Sequence, residues 1–171
     1  MRDVRVQIEE VLAEAKRLAG PLDSDALHRR PASGGWSVAE CLDHITLSTL
    51  AFSAAIDAVM PAARAGGLVG GAPASPGLKG RIMLWVLEPP VRVAKAKAPA
   101  GMMPRTGGRA VLDEFRTAHQ ELLRRLPEYL QLDPNRVRVD SPLGKGLRLG
   151  VILQVVPAHA RRHLWQAARA L

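Results

Sequence analysis

The sequence predicts an all-α protein: a four-helix bundle running up-down-down-up, with a long crossover between its second and third helices. Three observations predict it. Four segments carry apolar residues at helical spacing, no run of strand-like alternation stands out, and nearly fifty residues rich in Gly, Pro and Ala part the second segment from the third. A short turn forces neighbouring helices to run antiparallel, whereas a crossover of that length lets the third helix run parallel to the second. At 171 residues the chain is expected to form one domain, residues 1–171.

The first helix spans Asp3 to Ala19, with Val4, Ile8, Val11, Leu12, Ala15 and Leu18 on one face and Gly20-Pro21 stopping it. The second opens at Ser37, whose hydroxyl caps the helix while Glu40 reaches back, a capping box. Its core stripe is Val38, Leu42, Ile45, Phe52, Ile56 and Val59, and Pro61 is expected to close it. The crossover, Pro61 to Gly108, is long for a structureless loop, so Leu78 to Leu87 is expected to make a short extra helix. The third helix runs from about Arg109 to Leu130, with Leu112, Phe115, His119, Leu122 and Leu126 on one face. The fourth runs from about Leu147 to Leu171, with Ile152, Val155, Val156, His159, His163 and Gln166 on one face and Pro157 expected to kink it.

Composition removes several classes of function. Hydrophobic residues at 47% and charged residues at 23% exclude a disordered chain. The single cysteine, Cys41, excludes a disulfide framework and fits a reducing, cytoplasmic compartment. Acids occupy the first ten residues, where a secretory signal would carry its apolar run. Apolar stretches are broken by Asp57, Pro61 or Pro157, so no membrane span is expected.

The net charge of +8 is unevenly placed: −3 over residues 1–57, +7 over 58–112 and +4 over 113–171. Arg92, Lys95, Lys97, Arg105 and Arg109 follow one another with no acid between Glu88 and Asp113. This basic 92–109 segment suits a solvated loop, or a surface that attracts an anionic substrate. Nucleic acid is disfavoured as a partner, because no aromatic lies between Trp85 and Phe115 to stack on bases.

His159 and His163 are the informative pair. Four residues apart on a helix, they project from the same apolar face, close enough to hold one ion. Two core histidines bonded to backbone or carboxylates would satisfy that spacing too. His44 adds a third imidazole at a matching depth. With the second and fourth helices antiparallel, His44 lies seven residues from the start of its helix, while His159 and His163 lie twelve and eight from the end of theirs. At a rise of ~1.5 Å per residue these levels agree within a few ångströms. His119 competes as a ligand but lies deeper, as a pocket residue beside the site or a satisfied core histidine. Cys41, one turn before His44, can ligate in principle; alone on a helix it reads as a small core residue. His28 is expected in a solvated polar loop.

Gly34-Gly35-Trp36-Ser37-Val38-Ala39-Glu40-Cys41-Leu42-Asp43-His44-Ile45 resembles the signature that opens the second helix in the DinB-like superfamily, and His159-Ala-Arg-Arg-His163-Leu-Trp-Gln166 resembles its closing signature. The crossover stretch Lys95 to Pro104 and Ser141-Pro-Leu-Gly144 are similar to one branch of it. The resemblance implies a four-helix bundle with a divalent ion held by His44, His159 and His163. That superfamily includes bacillithiol- and mycothiol-dependent transferases and proteins described as metal-dependent hydrolases.

Three imidazoles leave open positions on Zn or Ni, as a catalytic site requires. The ion then activates water for hydrolysis, or binds a low-molecular-weight thiol as thiolate for S-transfer. Either chemistry needs a pocket for a small-molecule substrate, and the crossover with Trp85, Met102 and Met103 is the segment available to roof it. A homodimer suits such a bundle. Three readings stand beside one another: a metal-dependent hydrolase or transferase, a non-catalytic metal-binding or ligand-binding bundle, and a basic interaction protein with core histidines.

Overall fold

The computed structural model describes residues 2–32, 34–90, 98–105 and 110–171. It is mostly helical, with six α-helices and one two-stranded sheet among the described residues. Helix α1 spans Val4–Ala19; Asp3 caps it by accepting the Arg5 and Val6 amides. A one-turn helix, α2 (Ser24–His28), follows where a polar loop was expected. The Asp23 carboxylate accepts the Ala26 amide at 2.8 Å, and Leu27 is the helix's one buried residue. A helix of five residues with one buried side chain is too short to show a period.

Helix α3 (Val38–Ala65) starts at the expected capping box: Ser37 Oγ accepts the Glu40 amide and Glu40 accepts the Ser37 amide. Such a cap contributes about 1 kcal/mol. Pro61 does not close α3, which runs four residues further. The proline forfeits one backbone hydrogen bond, while Met60 and Ala63, both buried, hold the last turn against the core. By length and composition alone α3 is long and apolar enough to cross a membrane, a test that a helix in a protein core passes as well. The charge of Asp57 within α3 is matched: it accepts from Arg125 at 2.7 Å and from the Tyr129 hydroxyl at 2.8 Å. Leu42, Ile45, Phe52 and Ile56 face the protein core.

Helix α4 (Gly77–Leu87) forms within the crossover as expected. It lies along the last helix, and Gly80 makes the approach possible: a Cβ there would stand 2.8 Å from Val151 Cγ2. Replacing Gly80 with Val will therefore push α4 off its neighbour and cost about 1–3 kcal/mol. Urea unfolding checks this, and unchanged stability would mean the two helices do not touch there.

Helix α5 (Val111–Leu130) precedes a hairpin of β1 (Arg138–Ser141) and β2 (Gly144–Arg148), antiparallel with Val139 opposite Leu147. These strands were not expected. They are four and five residues long, and buried Val139 alternates with exposed Arg138 and Asp140, a signal too brief to stand out. Leu147, expected in the fourth helix, belongs to β2, and α6 spans Leu149–Ala168. It runs unbroken past Pro157. From Leu149 to Ala160 every residue of α6 is buried, the pattern of a helix covered on all sides.

Contacts set the directions. Along α3 and α5, Thr49 meets His119, and Asp57 meets Arg125 and Tyr129, so the two advance together. Along α3 and α6 the order reverses: His44 lies beside His163, and Phe52 beside His159.

Candidate metal centre

Antiparallel packing of α3 on α6 brings three histidines together. Ring centroids lie 4.4 Å apart for His44 and His163, 4.6 Å for His159 and His163, and 5.1 Å for His44 and His159. One ring nitrogen from each lies within 4.8 Å of the others. Three nitrogens at ~2.1 Å from a tetrahedral ion stand about 3.4 Å apart, so a ring adjustment of about an ångström suffices. His44 and His159 are buried and His163 is partly so. Phe52 stands on one side, edge-on to His159 with the ring centroids 6.2 Å apart.

Hydrogen bonds select the nitrogens. His44 donates Nδ1–H to the Met102 carbonyl at 2.7 Å, which leaves Nε2 with a lone pair. His163 donates Nδ1–H to Gln166 Oε1 at 3.1 Å, with the same result. The His159 ring, 8% exposed, meets the rings of His44, His163 and Phe52 and makes no hydrogen bond among the described residues. An ion between the three rings would give His159 a polar partner. The donor set is three neutral nitrogens, which suits Zn or Ni.

Burial keeps the rings neutral. It is the main cause that pushes His163 down to about 3, with the neighbouring His44 adding to it and the Gln166 bond opposing it. His159 lies well below its ordinary value, first through burial and then through His163, His44 and Arg162. His44 is lowered by burial, against the opposing Met102 bond and Asp43. At neutral pH an incoming cation therefore displaces no proton from these rings.

The other residues singled out from the sequence fall elsewhere. His119 is a core histidine: it stacks on Phe115 at 4.1 Å, donates Nδ1–H to the Phe115 carbonyl at 2.8 Å and accepts from Thr49 Oγ1 at 3.5 Å. Replacing His119 with Phe will leave metal content unchanged while costing about 1–2 kcal/mol, since the extra volume and the lost hydrogen bonds fall inside the core. Metal analysis of the purified variant checks this. Cys41 is fully buried, outside the cluster, and burial pushes its thiol up to about 12. Trp85 on α4 is 60% exposed and Met103 is exposed too. Met102 is buried, and it reaches the site through its carbonyl rather than its thioether. His28 is partly buried and donates Nδ1–H to the Ser24 carbonyl. In the basic stretch, Arg105 pairs with Asp43 and Glu114, while Arg92, Lys95, Lys97 and Arg109 lie outside the described residues.

Two participants were not singled out. Trp36 lies 4.8 Å from the His44 ring and stacks at 5.7 Å on His163, forming a wall of the cluster. Its signal was its place just before the Ser37 cap, where an apolar residue packs back on the first turns of the helix. Asp43, 2% exposed, is the other; an acid inside an apolar stripe is its signal.

Comparison with known proteins bears on this arrangement. No curated protein and no solved structure gives a significant match to the chain. A family model described as the DinB superfamily matches residues 7–167, and that span holds all three histidines and every helix that positions them. The chain belongs to the DinB superfamily.

Proposed function

We propose that the protein is a metal-dependent enzyme acting on a small molecule in the cytoplasm. One divalent ion, Zn or Ni, would be held by His44, His159 and His163 in a single up-down-down-up four-helix bundle. The observation that carries this reading is the convergence of three neutral, largely buried imidazoles, two of them with Nδ1 committed elsewhere. Bound there, the ion would supply Lewis acidity, activating water for hydrolysis or a low-molecular-weight thiol for S-transfer.

The chain's own residues favour transfer over hydrolysis. A hydrolase gains from a free carboxylate or imidazole that takes the proton of water. Asp43, adjacent to His44, is committed to Arg105, and both nitrogens of His119 are engaged by Phe115 and Thr49. A thiol becomes nucleophilic once its proton is lost, and a cation beside it achieves that. Trp36 would border the bound molecule beside His44, and Phe52 stands edge-on to His159.

The test uses protein purified without an affinity tag. We expect about one Zn or Ni per chain, and a low-molecular-weight thiol should raise the melting temperature of the loaded protein alone. A loaded protein that no thiol stabilises, but that cleaves ester or amide substrates, would assign hydrolysis instead. Metal without either response would favour the second reading, a non-catalytic metal-binding bundle, which the spent Asp43 also supports.

A further inference from the structure

One segment of the crossover touches the site twice. Residues 98–105 contain a 3₁₀ turn, Ala100–Met102, that packs against α3. At Met102 the backbone carbonyl accepts His44 Nδ1–H. Three residues later, Arg105 grips Asp43 with both its main chain and its side chain. Its amide donates to Asp43 Oδ2, and its guanidinium donates from Nη2 to Oδ1 at 2.6 Å and from Nε at 3.2 Å. Asp43 and His44 are consecutive on α3, so the segment is fastened at two neighbouring side chains.

We propose that Asp43 and Arg105 are positioning residues for His44: their ion pair pins the 98–105 segment so that the Met102 carbonyl holds His44 as its Nδ1–H tautomer, with Nε2 facing the other two histidines. The proposal rests on the reading of the three histidines as a metal site.

A neutral imidazole has two tautomers of similar energy, and the hydrogen bond made by one nitrogen decides which is present. A carbonyl at Nδ1 can only accept, so it enforces a proton there and a lone pair on Nε2. If the carbonyl drifts away, the tautomers mix and part of the population presents N–H toward the ion. Nothing in His44 itself holds the carbonyl in place. Arg105 does so, because its amide and side chain share one buried carboxylate only three residues along the strand of chain. The carboxylate in turn needs Arg105: buried at 2% exposure, it would be stranded without the cation. Both ends of the pair are therefore strongly committed to this geometry. Arg105 also donates to Glu114 on α5 at 2.9 Å, on the exposed side, which steadies the guanidinium without touching the rings.

Groups that hold the second nitrogen of a ligating histidine typically affect metal affinity 10–100-fold. The experiment compares wild type, Arg105→Ala, Arg105→Lys, the double variant Asp43→Asn with Arg105→Ala, and Glu114→Gln. Zn²⁺ affinity is read by competition with a chelating dye, and the His44 tautomer by long-range proton–nitrogen NMR on metal-free protein. We expect Arg105→Ala and the double variant to bind Zn²⁺ about 10–100-fold more weakly and to show mixed His44 tautomers. Arg105→Lys should recover part of the loss, and Glu114→Gln should match wild type. The double variant removes the stranded charge and so keeps the comparison open if Arg105→Ala unfolds. A lower melting temperature with unchanged Zn²⁺ affinity and a single Nδ1–H tautomer would overturn the proposal, since the pair would then serve stability alone. Failure of wild type to bind Zn²⁺ would instead overturn the metal reading, and the tautomer comparison would still decide whether Arg105 positions His44.

Discussion

His44→Ala will empty the metal centre without unfolding the protein. Two imidazoles on one helix face remain in that variant, but the ion loses the only ligand supplied by α3. We expect metal content to fall from about one per chain to near zero. A ligand bound to the native state alone adds about 2.7 kcal/mol at a hundredfold excess over its dissociation constant. For a chain of this size that is a melting shift of roughly 5–10 °C. A chelator at pH 7.5 should remove that increment from wild type and do nothing to His44→Ala. Helix content should persist, because Ala is the best helix former and the capping box at Ser37 lies two turns away. Full metal content in the variant, or an unchanged chelator response, would show that the ion binds elsewhere.

The three-histidine cluster was legible because helices convert spacing into place. A separation of four puts His159 and His163 on one face, and a rise of 1.5 Å per residue sets His44 at their level once α3 and α6 run antiparallel. What holds the cluster was not legible. The Met102 carbonyl leaves no mark on the sequence, because every residue has one, and its position depends on a crossover with no period of its own. The Arg105–Asp43 pair spans 62 residues, so either partner alone reads as an ordinary charge. His119 was ambiguous for a different reason: its place on an apolar stripe fits a pocket or a core, and only Thr49, from another helix, decides it. The fold shows the same division. Long periodic helices were readable to within a few residues, whereas the α2 turn and the β1–β2 hairpin bury too few side chains to show a pattern. Pro61 misled because local propensity is one term, and the burial of Met60 and Ala63 outweighs it.

The metal-free protein will lose stability steeply between about pH 6.5 and pH 4. An unfolded chain takes up a proton on each histidine near pH 6.5. The folded chain refuses it: His119 titrates only at about 4 and His163 at about 3, and His159 lies well below its ordinary value, in each case mainly because burial disfavours the charged ring. All these rings are neutral in both states above pH 6.5, so they leave stability unaffected by pH there. Below that, protons bind the unfolded state alone and pull the equilibrium toward it. The fall ends only when the folded rings themselves titrate. Each proton contributes about 1.4 kcal/mol per pH unit, so His119 and His163 give a slope of about 3 kcal/mol per unit around pH 5, to which His159 adds. Such a slope is enough to unfold a domain whose total stability is 5–15 kcal/mol. Urea unfolding of chelator-treated protein at pH 7.5, 6 and 5 measures it. His119→Phe should reduce the slope by about one proton's share, since its ring is independent of the cluster. In the loaded protein the slope should be the same but the fall should continue to lower pH, because the bound ion keeps protons off the rings where those of the metal-free protein would begin to titrate. A stability that stays flat from pH 7.5 to pH 5 would mean that these histidines are not held neutral in the folded chain, and the site would lack the unprotonated nitrogens that a metal requires.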